Sequence, residues 1–170
     1  YGDWPLDDDK VGECVYIDIL NQAENYVHIM SPYLILDSEM EYALKYAAKR
    51  GVDIKLILPG IPDKICPYAL AKSHYKSLLN AGVEIYEYTP GFVHAKVFVS
   101  DNVKGTVGTI NLDYRSLYHH FECGVYMYDV PCIEDMENDF QQTLEQCHRI
   151  TMMDVKKEKI IYKILGALMK

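Results

Sequence analysis

Two pairs of polar residues share one spacing: His94 with Lys96, and Thr109 with Asn111. In an extended strand, residues i and i+2 lie on one face. His94, Lys96, Phe98 and Ser100 therefore point one way, and Ala95, Val97 and Val99 the other. Asp101, Asn102, Val103 and Lys104 are turn-compatible and separate two strands. A four-residue hairpin loop there sets Ser100 opposite Gly105, Phe98 opposite Val107, Lys96 opposite Thr109 and His94 opposite Asn111. One patch would then hold an imidazole, an ammonium, a hydroxyl and an amide, with Phe98 and Val107 behind them.

Such a patch suits a phosphodiester. Lys96 offers a positive charge, and Thr109 and Asn111 offer hydrogen-bond donors to the non-bridging oxygens, whose charge grows in the transition state. His94, with an intrinsic pKa of ~6.5, can act as nucleophile or proton carrier near neutrality. Attack by a neutral ring nitrogen on phosphorus gives a phosphohistidine. No carboxylate-rich cage for a hard cation accompanies the patch, so the expectation is phosphoryl chemistry without metal or other cofactor.

The elements that must position these residues are legible in the pattern. Residues 10–24 have helical spacing, with Val15, Ile19 and Ala23 on a stripe, and 26–30 form a β-branched and aromatic strand. Ser38 and Glu41 form a capping box for a helix that ends at Gly51. A strand over 52–58, a helix over 67–80 closed by Gly82, and a strand over 83–88 follow. Strands over 94–100, 105–110 and 121–128 come next, then a long helix over 133–149 with Met136, Phe140, Leu144 and Cys147 on one face. Strands separated by helices predict an α/β fold, a sandwich of helices on both sides of a sheet. The adjacent strands of the second half make that sheet mixed. Residues 154–170 predict one basic amphipathic helix, lying on a membrane surface or packed on the body of the protein or on a partner domain.

Composition narrows the function. The 170 residues fit a single domain with a real core. Seventeen basic against 25 acidic side chains give a formal charge of −8, which disfavours a general nucleic-acid binder. The five cysteines are odd in number and lack CxxC spacing, arguing against a disulfide framework or zinc ribbon and for free thiols. No apolar run approaches the ~20 residues of a membrane span. With Tyr1 at its start, the chain reads as a soluble piece of a larger protein.

The segment from His94 to Asn111 matches H-x-K-x4-D-x6-G-[S/T]-x-N at every specified position: His94, Lys96, Asp101, Gly108, Thr109 and Asn111. It resembles the HKD motif of the phospholipase D superfamily. YVHIMSPYLILDSEMEYALKYAAKRGVDIKLILPG, LLNAGVEIYEYTPGFVHAK and GTINLDYRSLYHHFECGVYMYD resemble the C-terminal catalytic half of bacterial cardiolipin synthases, so that the likeness runs from about Gly2 to Arg149.

That resemblance implies a site built from two HKD halves, in which one histidine forms the phosphoenzyme and the other carries the proton. It implies cardiolipin made from two phosphatidylglycerols with release of glycerol; the alternatives are a phospholipase D or nuclease-like phosphodiesterase using water, or a non-catalytic partner domain. By position His94 is the acid/base, Lys96 and Asn111 grip phosphate, and Thr109 stands where serine is frequent. Glu122 matches the carboxylate that orients a catalytic histidine, and Asp101 is expected to fix the turn. With one motif, the chain needs a second HKD half from its parent or a second copy. The parent would sit at the cytoplasmic face of the cell membrane, bind phosphatidylglycerol or a related phospholipid, and bind no nucleic acid. Paired His119 and His120 suit metal binding or a polar loop, and Tyr33 and Asp63 follow predicted strands where a headgroup channel or simple turns belong.

Overall fold

The computed structural model describes residues 1–4, 9–118 and 121–169. In chain order the elements are β1 (Gly2–Asp3), α1 (Val11–Gln22), β2 (Tyr26–Met30), β3 (Leu34–Ile35), α2 (Ser38–Lys49), β4 (Asp53–Pro59), α3 (Ile65–Ala81) and β5 (Glu84–Tyr88). They continue with β6 (Val97–Ser100), β7 (Lys104–Gly108), β8 (Leu112–Asp113), α4 (Tyr114–Tyr118), β9 (Glu122–Tyr128), α5 (Cys132–Leu144), β10 (Cys147–Arg149), α6 (Met152–Lys157) and α7 (Ile160–Met169).

The main sheet has eight strands in the order β1-β9-β7-β6-β2-β4-β5-β10. β2, β4 and β5 run parallel, and the outer strands are antiparallel to their neighbours. The expected mixed α/β sheet is therefore present. Alternation decides what each face buries. Val27 and Ile29 of β2, Leu56 of β4 and Phe98 of β6 join a core with Tyr16 and Leu20 of α1, Leu44 of α2 and Leu78 of α3. Met30 and Ile57 point the other way and meet Phe140 of α5, with Val93, Ala95 and Val97 packed alongside.

Four local expectations are corrected. The α2 cap is Asp37, whose carboxylate accepts the Met40 N–H at 2.8 Å, so Ser38 is already inside the helix. α3 begins at Ile65, two residues before Pro67, because a proline in the first turn displaces no intrahelical bond. α5 stops at Leu144, and Cys147–Arg149 instead pairs antiparallel with β5, whose outer edge would otherwise be unpaired. The C-terminal segment is two helices broken near Glu158.

The fifth correction concerns the hairpin that carries the polar residues. Asp101 and Asn102 both adopt φ of 54°, and Val103 N–H donates to Ser100 O at 2.9 Å. Asp and Asn tolerate this left-handed conformation better than other side chains. The loop is thus three residues long, Ser100 pairs with Lys104, and Phe98 lies opposite Thr106 rather than Val107. The register is one residue away from the four-residue reading.

Candidate active site

β2, β4 and β5 all end at one edge of the sheet, and the segment 89–96 crosses that edge before entering β6. Since Val93, Ala95 and Val97 pack toward α5, Lys96 falls on the opposite face with Phe98. Lys96 is buried, while His94 remains exposed at the surface. The Lys96 ammonium donates to His94 O at 2.6 Å and lies 2.9 Å from His94 Nδ1 and 3.2 Å from Nε2. Burial pulls the Lys96 pKa below the ordinary lysine value, and the Glu122 and Asp113 carboxylates only partly oppose that pull.

The shifted register changes what the other motif residues touch. Gly108 N–H donates to Lys96 O at 3.4 Å, so Lys96 lies across from Gly108 and not from Thr109. Thr109 instead joins β9: its N–H donates to Cys123 O at 2.9 Å, and its hydroxyl accepts from Cys123 N–H at 3.0 Å. That hydroxyl also donates to Glu122. Glu122 is therefore hydrogen-bonded to Thr109, and among the described residues no hydrogen bond joins it to His94. No hydrogen bond joins His94 to Asn111 among them either.

Asn111 is positioned from the other side. Its Nδ2 donates to Ser116 Oγ at 2.9 Å, while Ser116 N–H donates to Asp113 Oδ1 at 2.8 Å and so caps α4. Asn111 Oδ1 is buried without a hydrogen-bond partner among the described residues. A phosphate oxygen needs a donor, so gripping one requires the amide to turn over and present its nitrogen. Residues 111–113 are anchored by Ser31, whose hydroxyl accepts Leu112 N–H at 3.1 Å, and by the parallel pairing of β3 with β8. The sequence reading missed Ser31, Asp113 and Ser116. The Asp113-x-x-Ser116 spacing, an acidic residue three positions before a small polar one, was the available cap signal.

Asp101 is far more committed to structure than to the patch. Its carboxylate accepts the N–H groups of Glu24, Asn25 and Tyr26 at 2.8–2.9 Å, tying the hairpin tip to the start of β2. Burial favours the neutral acid, but these three donors outweigh it and hold the carboxyl below its ordinary pKa. A depressed carboxyl pKa stabilises the fold above the unfolded value and loses that contribution as pH falls through the folded one. Asp101→Ala should therefore cost about 2–3 kcal/mol at neutral pH, lowering the melting temperature by about 5–10 °C. The gap should close below pH ~4. Thermal melts of both proteins across pH check this; a gap independent of pH would mean the anion is not what matters.

Tyr33 and Asp63 are brought together, with Tyr33 OH donating to Asp63 Oδ2 at 2.6 Å. Phe92 stands between Tyr33 and the histidine, its ring centroid 6.3 Å from Tyr33 and 6.0 Å from His94. His28 and His74 are buried beside Glu137 and Glu41, and His148 lies on the far edge strand. His119 and His120 lie outside the described residues. Among the described residues, no group of three or more histidine, cysteine or acidic side chains is gathered to hold a metal ion.

Residues 16–144 match the family model for the cardiolipin synthase, PLD-like domain. The chain belongs to that family. An uncharacterized protein of Streptococcus mutans is 64% identical over all 170 residues, which are 37% of its own length. A Clostridium perfringens cardiolipin synthase is 41% identical over 149 residues, covering 88% of this chain and 31% of that protein. The PLD-like domain thus spans about a third of the curated relatives it matches. Solved structures share its fold, two of them as follows. Nuc of Salmonella typhimurium, a phospholipase D family member, superposes with a TM-score of 0.72 at 20% identity, covering 84% of this chain and 93% of its own. The phosphatidylserine synthase of Haemophilus influenzae gives 0.75 at 15% identity, covering 99% of this chain and 43% of its own.

Proposed function

We propose that this chain supplies one half of a two-histidine phosphatidyltransferase site, and that the complete enzyme makes cardiolipin from two phosphatidylglycerols. The observation that carries this reading is an exposed His94 at the sheet edge with the buried Lys96 ammonium folded onto it. Membership of the cardiolipin synthase family supports the choice of lipid.

In this scheme the histidine of the other half, from the parent chain or a second copy, attacks phosphorus while the bond to the headgroup glycerol breaks. His94 gives that glycerol its proton. The hydroxyl of a second phosphatidylglycerol then attacks the phosphohistidine, His94 takes its proton, and the P–N bond breaks to release cardiolipin. Lys96 lies within 3.2 Å of both ring nitrogens, so its charge disfavours a second proton on the His94 ring while the two stay in contact. As Lys96 turns to a phosphate oxygen it releases the ring, which can then carry a second proton and act as the acid. Asn111 completes the phosphate grip once its amide has turned over, and Thr109 joins it by turning its one hydroxyl proton from Glu122 to the phosphate. The parent acts at the cell membrane.

Incubating the complete two-motif protein with phosphatidylglycerol labelled in the headgroup tests this. Cardiolipin and free glycerol should appear in equal amounts. Phosphatidic acid without cardiolipin would replace the transferase reading with hydrolysis by water.

A further inference from the structure

α7 is held on the body by one face only. Gly166 sits so close to α3 that an added Cβ would meet Ala69 O at 2.7 Å and Ser73 Cβ at 3.0 Å. Tyr162 packs edge-on against Tyr68 at 5.5 Å. At about 100° per residue, Tyr162, Leu165 and Gly166 form this inward face. Ile160, Ile161, Ile164 and Leu168 fall within an arc of roughly 100° on the outward side. They are 75%, 57%, 54% and 79% exposed. Packing on the body, one of the expectations for this segment, therefore accounts for one face and leaves an apolar stripe uncovered.

Such a stripe on a water-facing helix marks a contact surface. Its surroundings say with what. Lys163 on α7 and Lys159 just before it are exposed on the flank between the two faces; the Lys163 ammonium donates to Lys156 O at 2.8 Å and the Lys159 ammonium stands 5.9 Å from the Tyr162 ring, and from that flank long side chains can swing to lie along an apolar layer with their charges in a polar one. Residues 154–170 carry five lysines against Asp154 and Glu158, a formal +3 in a chain of −8. The stripe also has company at the active-site end of the sheet. Exposed Ile61 lies in the loop after β4, and exposed Ile65 opens α3 one turn before Tyr68 and Ala69. Tyr68 in turn lines a crevice with Tyr33 and Phe92, and Phe92 is the ring beside His94.

We infer that the outward face of α7, with its flanking lysines, is a docking surface for a bilayer rich in anionic lipids, which it contacts by lying in the headgroup layer. This goes beyond the transferase reading and stands whatever the site does. A bilayer meets both halves of the pattern, since its acyl boundary takes Ile160, Ile161, Ile164 and Leu168 while its anionic headgroups take the lysines. Contact there would also bring the His94 end of the sheet toward the lipid surface.

Flotation of the chain with vesicles tests it. Binding is expected to vesicles containing phosphatidylglycerol, to be much weaker with pure phosphatidylcholine, and to fall as salt rises. Ile161→Glu with Ile164→Glu should lower partitioning by tenfold or more on the order of the lost apolar burial. Lys159→Glu with Lys163→Glu should lower it about 10³-fold at low salt, since each reversal costs roughly twice one lysine's attraction. Melting temperatures should stay within about 2 °C of the parent, because exposed positions are changed. Vesicles with phosphatidylserine in place of phosphatidylglycerol should bind the chain alike, which separates docking on anionic lipid from capture of the substrate; binding to phosphatidylglycerol alone overturns the inference. No binding to phosphatidylglycerol vesicles, or binding that the isoleucine variant retains, overturns the inference. So does a stable dimer in light scattering that the isoleucine variant breaks without any loss of vesicle binding, because the stripe then belongs to a second copy.

Discussion

His94→Ala in the complete two-motif protein should lower the turnover of phosphatidylglycerol by about 10²–10⁴-fold, the range typical of a lost general acid–base group. Folding should be little affected, because the side chain is exposed and Lys96 keeps its bond to the His94 carbonyl. The substrate then separates the two roles a histidine can play here. A glycerol alkoxide cannot leave without a proton, whereas a nitrophenolate can. With a phosphatidyl nitrophenol, the first turnover of His94→Ala should release nitrophenol to within about tenfold of the parent, since that step then needs no acid, while later turnovers stay slow because His94 is also the base of the second step. If the first turnover of the variant is equally defective with both substrates, His94 is the nucleophile and the assignments of the two halves are reversed. Activity within threefold of the parent on the natural lipid would remove His94 from the chemistry altogether.

Gly108→Ala should be the most damaging single methyl in the hairpin. A Cβ at Gly108 would lie 2.3 Å from Cys123 O and 2.6 Å from Gly124 Cα, both backbone atoms of the neighbouring strand. Side chains can swing aside, but here β7 and β9 must separate. The separation would break the pairing of Thr109 with Cys123 and with it the support for Glu122. A cost of about 3 kcal/mol or more is expected, or about 6–12 °C in melting temperature for a chain of this size. Gly105→Ala in the same strand is the internal control. The atoms nearest its Cβ would be side-chain atoms of Ile133 and Met136 at 3.4 Å, so the change should be under about 1 kcal/mol. Equal melting temperatures for the two variants would show that the β7–β9 contact yields freely.

Much of this was legible in the residues. Helical and strand periods located nearly every long element, and the order of those elements forced a mixed sheet. The segment 94–111 pointed to phosphate chemistry before any relative was considered, because residue types and spacing survive whatever the exact pairing. What did not survive was detail set by partners distant in sequence. A turn-compatible run of four residues suits a three- or a four-residue loop equally well; the choice came from Asp101 and Asn102 both taking left-handed backbone, with Asp101 held by the N–H groups of residues 24–26. The apolar face that promised helix through Cys147 was overruled by the open edge of β5. Thr109 found its partner in β9, a strand that no local pattern could assign to it.

The hairpin also changes what the spacing of the motif means. Asp101 is fastened at one end, to the start of β2, and Gly108 is pressed against β9 at the other. The six residues between them behave as a ruler cut to length. One residue more or less would slide β7 by a single step and turn its side chains to the wrong face of the sheet. The fixed interval between the aspartate and the glycine is thus a measure of distance between two anchorage points, and the chemistry is hung from its ends.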